Sequence, residues 1–140
     1  MKKIIIISLL FVGISLTHIL NAQNEEIINV AKGLGDYFQA KISNAILIDE
    51  SVKIEIDESG YPLEISYIIL NVGYTSFTSI ASNLKGLVEY IKPTIHNRWK
   101  KDEYGDYVYS FTYVGIYHRI CFNESKGENT ITVICIRQLE

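Results

Sequence analysis

The sequence has few of the residues that usually mark a catalytic or metal-binding site. Its 140 residues include two cysteines, three histidines and one tryptophan. No His-Glu-x-x-His motif, Gly-x-Ser-x-Gly motif or phosphate-binding glycine loop occurs. The cysteines and histidines also lack the spacing of zinc ligands. We therefore expect that the protein is not an enzyme and uses no metal or cofactor.

An excess of basic residues is also missing. Thirteen lysines and arginines stand against 16 aspartates and glutamates, a formal net charge of −3. This balance argues against a nucleic-acid partner and against an electrostatic grip on anionic lipid, because both need a basic face. With only two prolines and no low-complexity stretch, the sequence predicts a folded domain rather than a linker.

Long apolar runs are absent except at the amino terminus. There, Lys2 and Lys3 precede the apolar run Ile4–Leu16, and a small residue follows at a cleavage position. This order indicates a secretory signal peptide over residues 1–22, followed by one domain over residues 23–140. The run is shorter than the about 20 apolar residues that span a bilayer. We therefore expect a bacterial periplasmic or secreted protein, with no stable membrane insertion after cleavage.

Apolar residues at helical spacing predict two helices. The first covers Asn24–Ile42, where Gly33 and Gly35 each cost about 1 kcal/mol relative to alanine, so a break or kink is expected. The second covers Ser76–Lys92 and ends before Pro93, because proline disfavours helical geometry in the residue before it.

Alternating apolar and polar residues predict the strands. They lie at Val52–Ile56, Leu63–Leu70, Asp106–Val114, Ile116–Phe122 and Thr130–Arg137. Turn residues separate the first two strands and the last two. The order α-β-β-α-β-β-β predicts an α+β domain, in which two helices pack on one face of an antiparallel sheet of about five strands.

Aromatic residues gather in the last third of the chain, and two interpretations remain open. They could form a binding surface, since tyrosine gives a large contact area at low entropic cost, or they could pack under the second helix. The residues that share one strand face are Tyr107, Tyr109, Phe111 and Tyr113, with Trp99 and Tyr104 shortly before them.

The two cysteines lie on the strands of the last predicted hairpin. If Lys126 faces Thr130, then Cys121 faces Cys135 and a disulfide is possible, as an exported protein allows. A tighter turn around Gly127 would place the sulfur atoms about 13 Å apart, which leaves two reduced cysteines. The register therefore decides between these two states.

The same register governs two arginines. With Cys121 opposite Cys135, Arg119 lies opposite Arg137, and the pair would form a candidate site for an anion such as a carboxylate. Like charges on facing residues destabilise a sheet, however. The alternative is that both arginines are solvated residues of the sheet face.

Part of the chain resembles the TonB carboxy-terminal domain family. The resemblance lies in Val52–Gly60, which is similar to the first strand and glycine turn of that family, and in the helix Ser76–Lys92. It continues in Arg98-Trp99-Lys100, Gly105 and Val108, before the next strand. The resemblance implies that the protein binds partners by adding a strand to a sheet edge.

Together these patterns predict a non-catalytic binding module. Its partner would be a protein or peptide of the cell envelope, bound through a sheet edge or the aromatic face. The alternative is a small-ligand protein that holds an apolar or sugar-like molecule between sheet and helices. A long uncovered edge strand would favour the first function, and a pocket lined by both helices would favour the second.

Overall fold

The structure, a computed structural model, describes residues 27–125 and 128–139, so the predicted signal peptide lies outside the described residues. The described part contains two helices and six strands, which confirms the α+β class. In chain order they are α1 (Ile27–Lys41), β1 (Ile46–Ile56), β2 (Pro62–Asn71), α2 (Phe77–Ile91), β3 (Thr94–Lys101), β4 (Tyr107–Tyr113), β5 (Ile116–Asn123) and β6 (Thr130–Gln138).

All six strands form one antiparallel sheet in the order β1-β2-β6-β5-β4-β3. The chain builds β1 and β2 at one side, crosses over through α2 to the far edge, and returns strand by strand until β6 meets β2. Strand β2, whose sequence is apolar on both faces, therefore lies inside the sheet. The two edges are β1 and β3.

Both helices pack on the same face of this sheet, as predicted. Strand pairing places Ile68 of β2 and Tyr107 of β4 on one face. At one end of that face, a Cβ added to Gly35 of α1 would lie 3.1 Å from Ile68 Cγ2. At the other end, Phe77 of α2 stacks on Tyr107 with ring centroids 4.0 Å apart. The hydrophobic core lies between this face and the helices.

Helix α1 continues through both glycines without a break. The missing side chain of Gly35 lets the helix approach β2 closely, and the packing offsets the weak helix propensity of glycine. Two residues later, the Tyr37 hydroxyl donates a hydrogen bond of 2.7 Å to the Asn83 carbonyl and so links α1 to α2. Burial raises the pKa of Tyr37 to about 12.

Helix α2 has the limits that its flanking residues predict. The Ser76 hydroxyl accepts a hydrogen bond from the Ser79 N–H at its start, as an N-cap does. At its end, Lys92 adopts the left-handed conformation with φ of 51°, and its N–H donates to the Val88 carbonyl. Pro93 follows and prevents a further turn.

The prediction of about five strands was too low, since β3 forms a sixth. Only Ile95 and Trp99 of this strand are half-buried, and its other residues are exposed. The pairing with β4 shifts after Ile95 and again after Asn97, so the side-chain period of two is interrupted. A segment with irregular pairing carries no alternating pattern, which is why the sequence of β3 resembles a polar connector.

Candidate binding surfaces

Strand β1 leaves one long edge of the sheet open. Among the described residues it pairs with β2 on one side only, and all eleven of its residues are exposed. Six of them carry large apolar side chains with exposed fractions from 42 to 65 %: Ile46, Leu47, Ile48, Val52, Ile54 and Ile56. Folded domains usually cover or charge such an edge, so this cluster of apolar side chains makes β1 a candidate interaction surface.

The hydrogen-bond pattern shows which backbone groups of β1 face outward. At the hairpin turn, the Asp57 N–H donates to the Tyr61 carbonyl, so Asp57 points its backbone groups toward β2. In an antiparallel pair this direction alternates from residue to residue. The N–H and C=O groups of Val52, Ile54 and Ile56 therefore point to the open edge.

Lys53 and Glu55 lie on the sheet face away from the helices, whereas Glu50 lies on the helix-covered face, where its Oε1 is 3.7 Å from Lys32 Nζ of α1. Lys53 Nζ lies 2.6 Å from Glu55 Oε2 and 5.2 Å from the centre of the Tyr67 ring. The hydrogen bond to Glu55 is the main cause of a raised Lys53 pKa. In this part of β1, Val52 and Ile54 therefore lie on one face of the sheet, and the ion pair of Lys53 and Glu55 lies on the other.

A second candidate surface is a groove of about 660 Å³ between α2 and the β3–β4 edge. Its floor contains Trp99 and Tyr109, whose rings meet at 5.4 Å between centroids. Its charged rim includes Lys85, Glu89 and Arg98. Helix α2 lines this groove and α1 does not, so it differs from a pocket between both helices.

The aromatic strand face itself packs under α2. Tyr109 is 6 % exposed, and Tyr107 is half-buried beneath the Phe77 ring. The amine of Lys101 lies 5.1 Å from the centre of the Tyr107 ring. Tyr104, in contrast, is 80 % exposed at the β3–β4 turn. Trp99 and Tyr109 are thus the aromatic candidates that the fold brings together in the groove.

The last hairpin has neither of the two registers considered from the sequence. Asn123 pairs with Thr130, which places Cys121 opposite Thr132 and Cys135 opposite His118. The two cysteines lie on opposite faces of the sheet, and both thiols are free. The predicted register, in which Cys121 lies opposite Cys135, was therefore wrong, and the observed pairing does not bring the two cysteines together.

Contacts with the β2–α2 loop explain this register. Asn129 donates its backbone N–H to the Gly73 carbonyl at 2.7 Å, and its carbonyl accepts from Val72 at 2.9 Å. The Asn129 side chain also donates to the Thr75 carbonyl. These bonds extend the β2–β6 ladder and fix where β6 begins, and none of them is visible from the hairpin sequence alone.

The two arginines of this hairpin consequently do not converge. Arg119 faces Ile134 across the strands, and its Nη2 lies 3.9 Å from Asp102 Oδ2. Arg137 lies on the other face, where its Nη2 is 2.5 Å from Glu64 Oε1. The anion site predicted from the facing-cysteine register is therefore wrong, since each arginine has a carboxylate of its own.

A buried polar row crosses the helix-covered face. Strand pairing aligns Ser66, Cys135 and His118, all at most 1 % exposed. His118 Nδ1 donates a hydrogen bond of 2.9 Å to the Ile116 carbonyl, whereas His118 Nε2 and Ser66 Oγ have no hydrogen-bond partner among the described residues. Burial lowers the pKa of His118 to about 4 and raises that of Cys135. At neutral pH both side chains are uncharged, so this row supplies no thiolate.

Two searches of the described residues give negative results. Residues 27–125 and 128–139 contain no group of three or more His, Cys, Asp or Glu side chains placed to hold a metal ion. Among the same residues, no helix is both long and apolar enough to span a bilayer. Comparisons with protein-family models, curated proteins and solved structures give no significant match.

Sequence reasoning missed the first half of the open edge. Ala45, Ile46, Leu47 and Ile48 form a continuous run of four apolar residues, and the pairing shifts between Leu47 and Asp49, so no alternation marks the strand there. The run itself was the available signal, because four to eight apolar residues next to an alternating segment are consistent with a strand. The rim residues of the groove carry no comparable pattern.

Proposed function

We propose that this protein is an exported, non-catalytic binding module that takes an extended segment of a protein partner onto the open edge of β1. The observation that carries this proposal is the edge itself. It is eleven residues long, exposed throughout and rich in apolar side chains. Export to the periplasm or beyond is the part of the proposal that rests on the signal-peptide pattern of residues 1–22.

The chemistry of the edge defines the segment that fits it. The outward backbone groups of Val52, Ile54 and Ile56 would supply main-chain hydrogen bonds, which are not selective for sequence. Selectivity would come from the side chains. Apolar residues of the partner would lie beside these three, and residues of opposite charge would lie beside Lys53 and Glu55.

The other edge of the sheet is a poorer docking site. Strand β3 is interrupted by two register shifts and exposes Arg98, Lys100 and Lys101. Irregular pairing and basic side chains are the devices by which natural sheets protect an edge from strand addition. The contrast between the two edges supports β1 as the binding surface.

The resemblance to TonB carboxy-terminal domains agrees with this mode of binding and remains a prediction. The first of the three stretches that carry it, Val52–Gly60, makes up the end of β1 and the hairpin turn. A partner strand added to β1 would therefore contact the part of the chain in which the resemblance begins.

The proposal can be tested by removing one outward N–H group. Ile54→Pro deletes a donor that points away from β2, so the β1–β2 ladder keeps its hydrogen bonds. The matched control is Ile54→Thr, which keeps the N–H and suits a strand. Binding is measured by fluorescence anisotropy with labelled peptides in which apolar and charged residues alternate.

We expect the wild-type protein and Ile54→Thr to bind members of this peptide panel. Ile54→Pro should bind these peptides with an affinity at least about tenfold lower, because it loses a hydrogen bond and the strand geometry around it. Equal binding by Ile54→Pro and Ile54→Thr would contradict strand addition at β1. So would a wild-type protein that binds no peptide of the panel.

A second candidate function is binding of a small apolar or sugar-like ligand in the groove beside α2. The volume of about 660 Å³ lies within the range of about 300–1,000 Å³ typical of small-molecule sites. Trp99 and Tyr109 provide an aromatic floor of the kind that such ligands stack on, and the charged rim provides polar contacts.

A further inference from the structure

The exposed end of β1 is self-complementary in charge and polarity. Val52-Lys53-Ile54-Glu55-Ile56 has an apolar residue at its centre and at both ends. On either side of Ile54 stands one charged residue, positive before it and negative after it. Two antiparallel copies of such a segment place each charge opposite the opposite charge.

We infer that β1 pairs antiparallel with β1 of a second copy of this chain, about a twofold axis at Ile54. This inference rests on the proposed function, since it names the partner segment that the open edge accepts. It joins two six-stranded sheets edge to edge into one continuous sheet. The association is isologous, because the same residues contribute from both molecules.

Within Val52–Ile56, every facing pair in this register is favourable. Ile54 faces Ile54 of the second copy, and Val52 faces Ile56 of the second copy. Lys53 faces Glu55 of the second copy, and the symmetric pair forms on the other side of the axis. Opposite charges and apolar pairs that face each other stabilise antiparallel strands.

The backbone directions fit the same register. Because Val52, Ile54 and Ile56 point their N–H and C=O groups outward, the pairs that they form with the second copy exchange both N–H···O bonds. Lys53 and Glu55 then form non-hydrogen-bonded pairs, in which the facing side chains are closest. The closest contacts thus fall on the pairs of opposite charge.

Neighbouring registers are less favourable. A slip by one residue would turn the apolar side chains of one copy toward the charged face of the other. A slip by two residues would face Lys53 with Lys53, or Glu55 with Glu55, at the centre of the contact.

The charge pattern allows a test by charge exchange. Lys53→Glu places four acidic groups together across the twofold axis, and Glu55→Lys places four basic groups there. The double variant Lys53→Glu/Glu55→Lys restores opposite charges. All four proteins are compared by sedimentation velocity over a concentration series, and circular dichroism checks that each is folded.

We expect a concentration-dependent dimer for the wild-type protein and for the double variant. Each single variant should be monomeric at the concentrations where the wild type is dimeric. Mixing the two single variants should produce a dimer, because the two acidic side chains of one chain then face the two basic side chains of the other. This recovery shows that both single variants are folded.

Three results would overturn the inference: a wild-type protein that is monomeric throughout, a dimer unaffected by Lys53→Glu, or single variants that do not associate when mixed. The proposed function is judged separately, by the peptide panel and Ile54→Pro. A monomeric protein that binds peptides at β1 would retain the proposed function and lose the self-pairing.

Discussion

Replacement of His118 should remove much of the acid sensitivity of this fold. His118 lies on β5, is 1 % exposed, and its ring stacks on Phe111 with centroids 4.7 Å apart. Burial lowers its pKa to about 4, from an ordinary value of 6.5. The imidazole is therefore held neutral in the folded protein, whereas the unfolded chain takes up a proton below pH 6.5.

The sign and size of the effect follow from this difference. Because the unfolded state binds the proton more tightly, stability is full above about pH 6.5 and falls as the pH drops toward 4. A difference of this size corresponds to about 3 kcal/mol once the pH is below both pKa values, and most of this is already lost at about pH 4.5. That is a large fraction of the stability of a typical small domain.

The measurement is urea unfolding of the wild type and of His118→Phe at neutral pH and near pH 4.5. Phenylalanine keeps the stack on Phe111 and carries no titrating group. The variant should therefore lose on the order of 2–3 kcal/mol less than the wild type on acidification. His96→Gln, an exchange at the exposed histidine of β3, is the control and should behave as the wild type does.

Equal losses in the wild type and in His118→Phe would refute this reasoning. They would mean that His118 titrates alike in the folded and unfolded chains, and that its burial does not oppose protonation.

Two further predictions concern helix packing and the groove. Gly86→Ala should raise the free energy of unfolding by about 1 kcal/mol, because alanine has a higher helix propensity than glycine and α2 has room for the added Cβ, which would lie 3.9 Å from the Tyr37 hydroxyl. Gly35→Ala should not give this gain in the same thermal or urea assay, because its Cβ would press on Ile68 at 3.1 Å; equal gains would contradict the close approach of α1. Trp99 is the sole tryptophan of the sequence, so a sugar or apolar ligand in the groove should change its fluorescence. A ligand bound without such a change would lie elsewhere.

The class of the fold and most of its elements could be predicted from the sequence. Helix α2 has a strong apolar stripe, a serine that caps its start and a proline after its end, and these signals are local. The β1–β2 hairpin is equally local, because Asp57 Oδ1 accepts hydrogen bonds from the backbone of Ser59 and Tyr61, and Gly60 takes a φ of 89°. For these elements the signals depend on neighbouring residues only, and the predictions were confirmed, whereas the break expected at Gly33 and Gly35 of α1 is absent because packing against β2 offsets the local propensity.

The sixth strand had a signal that was not used. The turn after β3 repeats the turn after β1, since Asp102 Oδ1 accepts from the backbone of Tyr104 and Asp106, and Gly105 takes a φ of 86°. The pattern Asp-Glu-x-Gly occurs in both turns. Its second occurrence predicts another hairpin, and therefore a strand before Asp102.

The register of the last hairpin could not be predicted, because distant residues decide it. Asn129 bonds to Val72, Gly73 and Thr75, which lie more than 50 residues away along the chain. A shift of register moves both cysteines and both arginines relative to one another. The predicted disulfide and the predicted anion site both required one particular register of the last hairpin, whereas the exposed β1 edge depends on the alternation within one strand.

Amide hydrogen exchange along β1 tests the central claim most directly. In the dilute protein, the amides of Lys53 and Glu55 point toward β2 and should exchange slowly, whereas those of Val52, Ile54 and Ile56 point outward and should exchange fast. When the edge is occupied, by a second copy at high concentration or by a strand-forming peptide, we predict that the three fast amides become protected. Binding or association that leaves these three amides fast would contradict strand addition at β1.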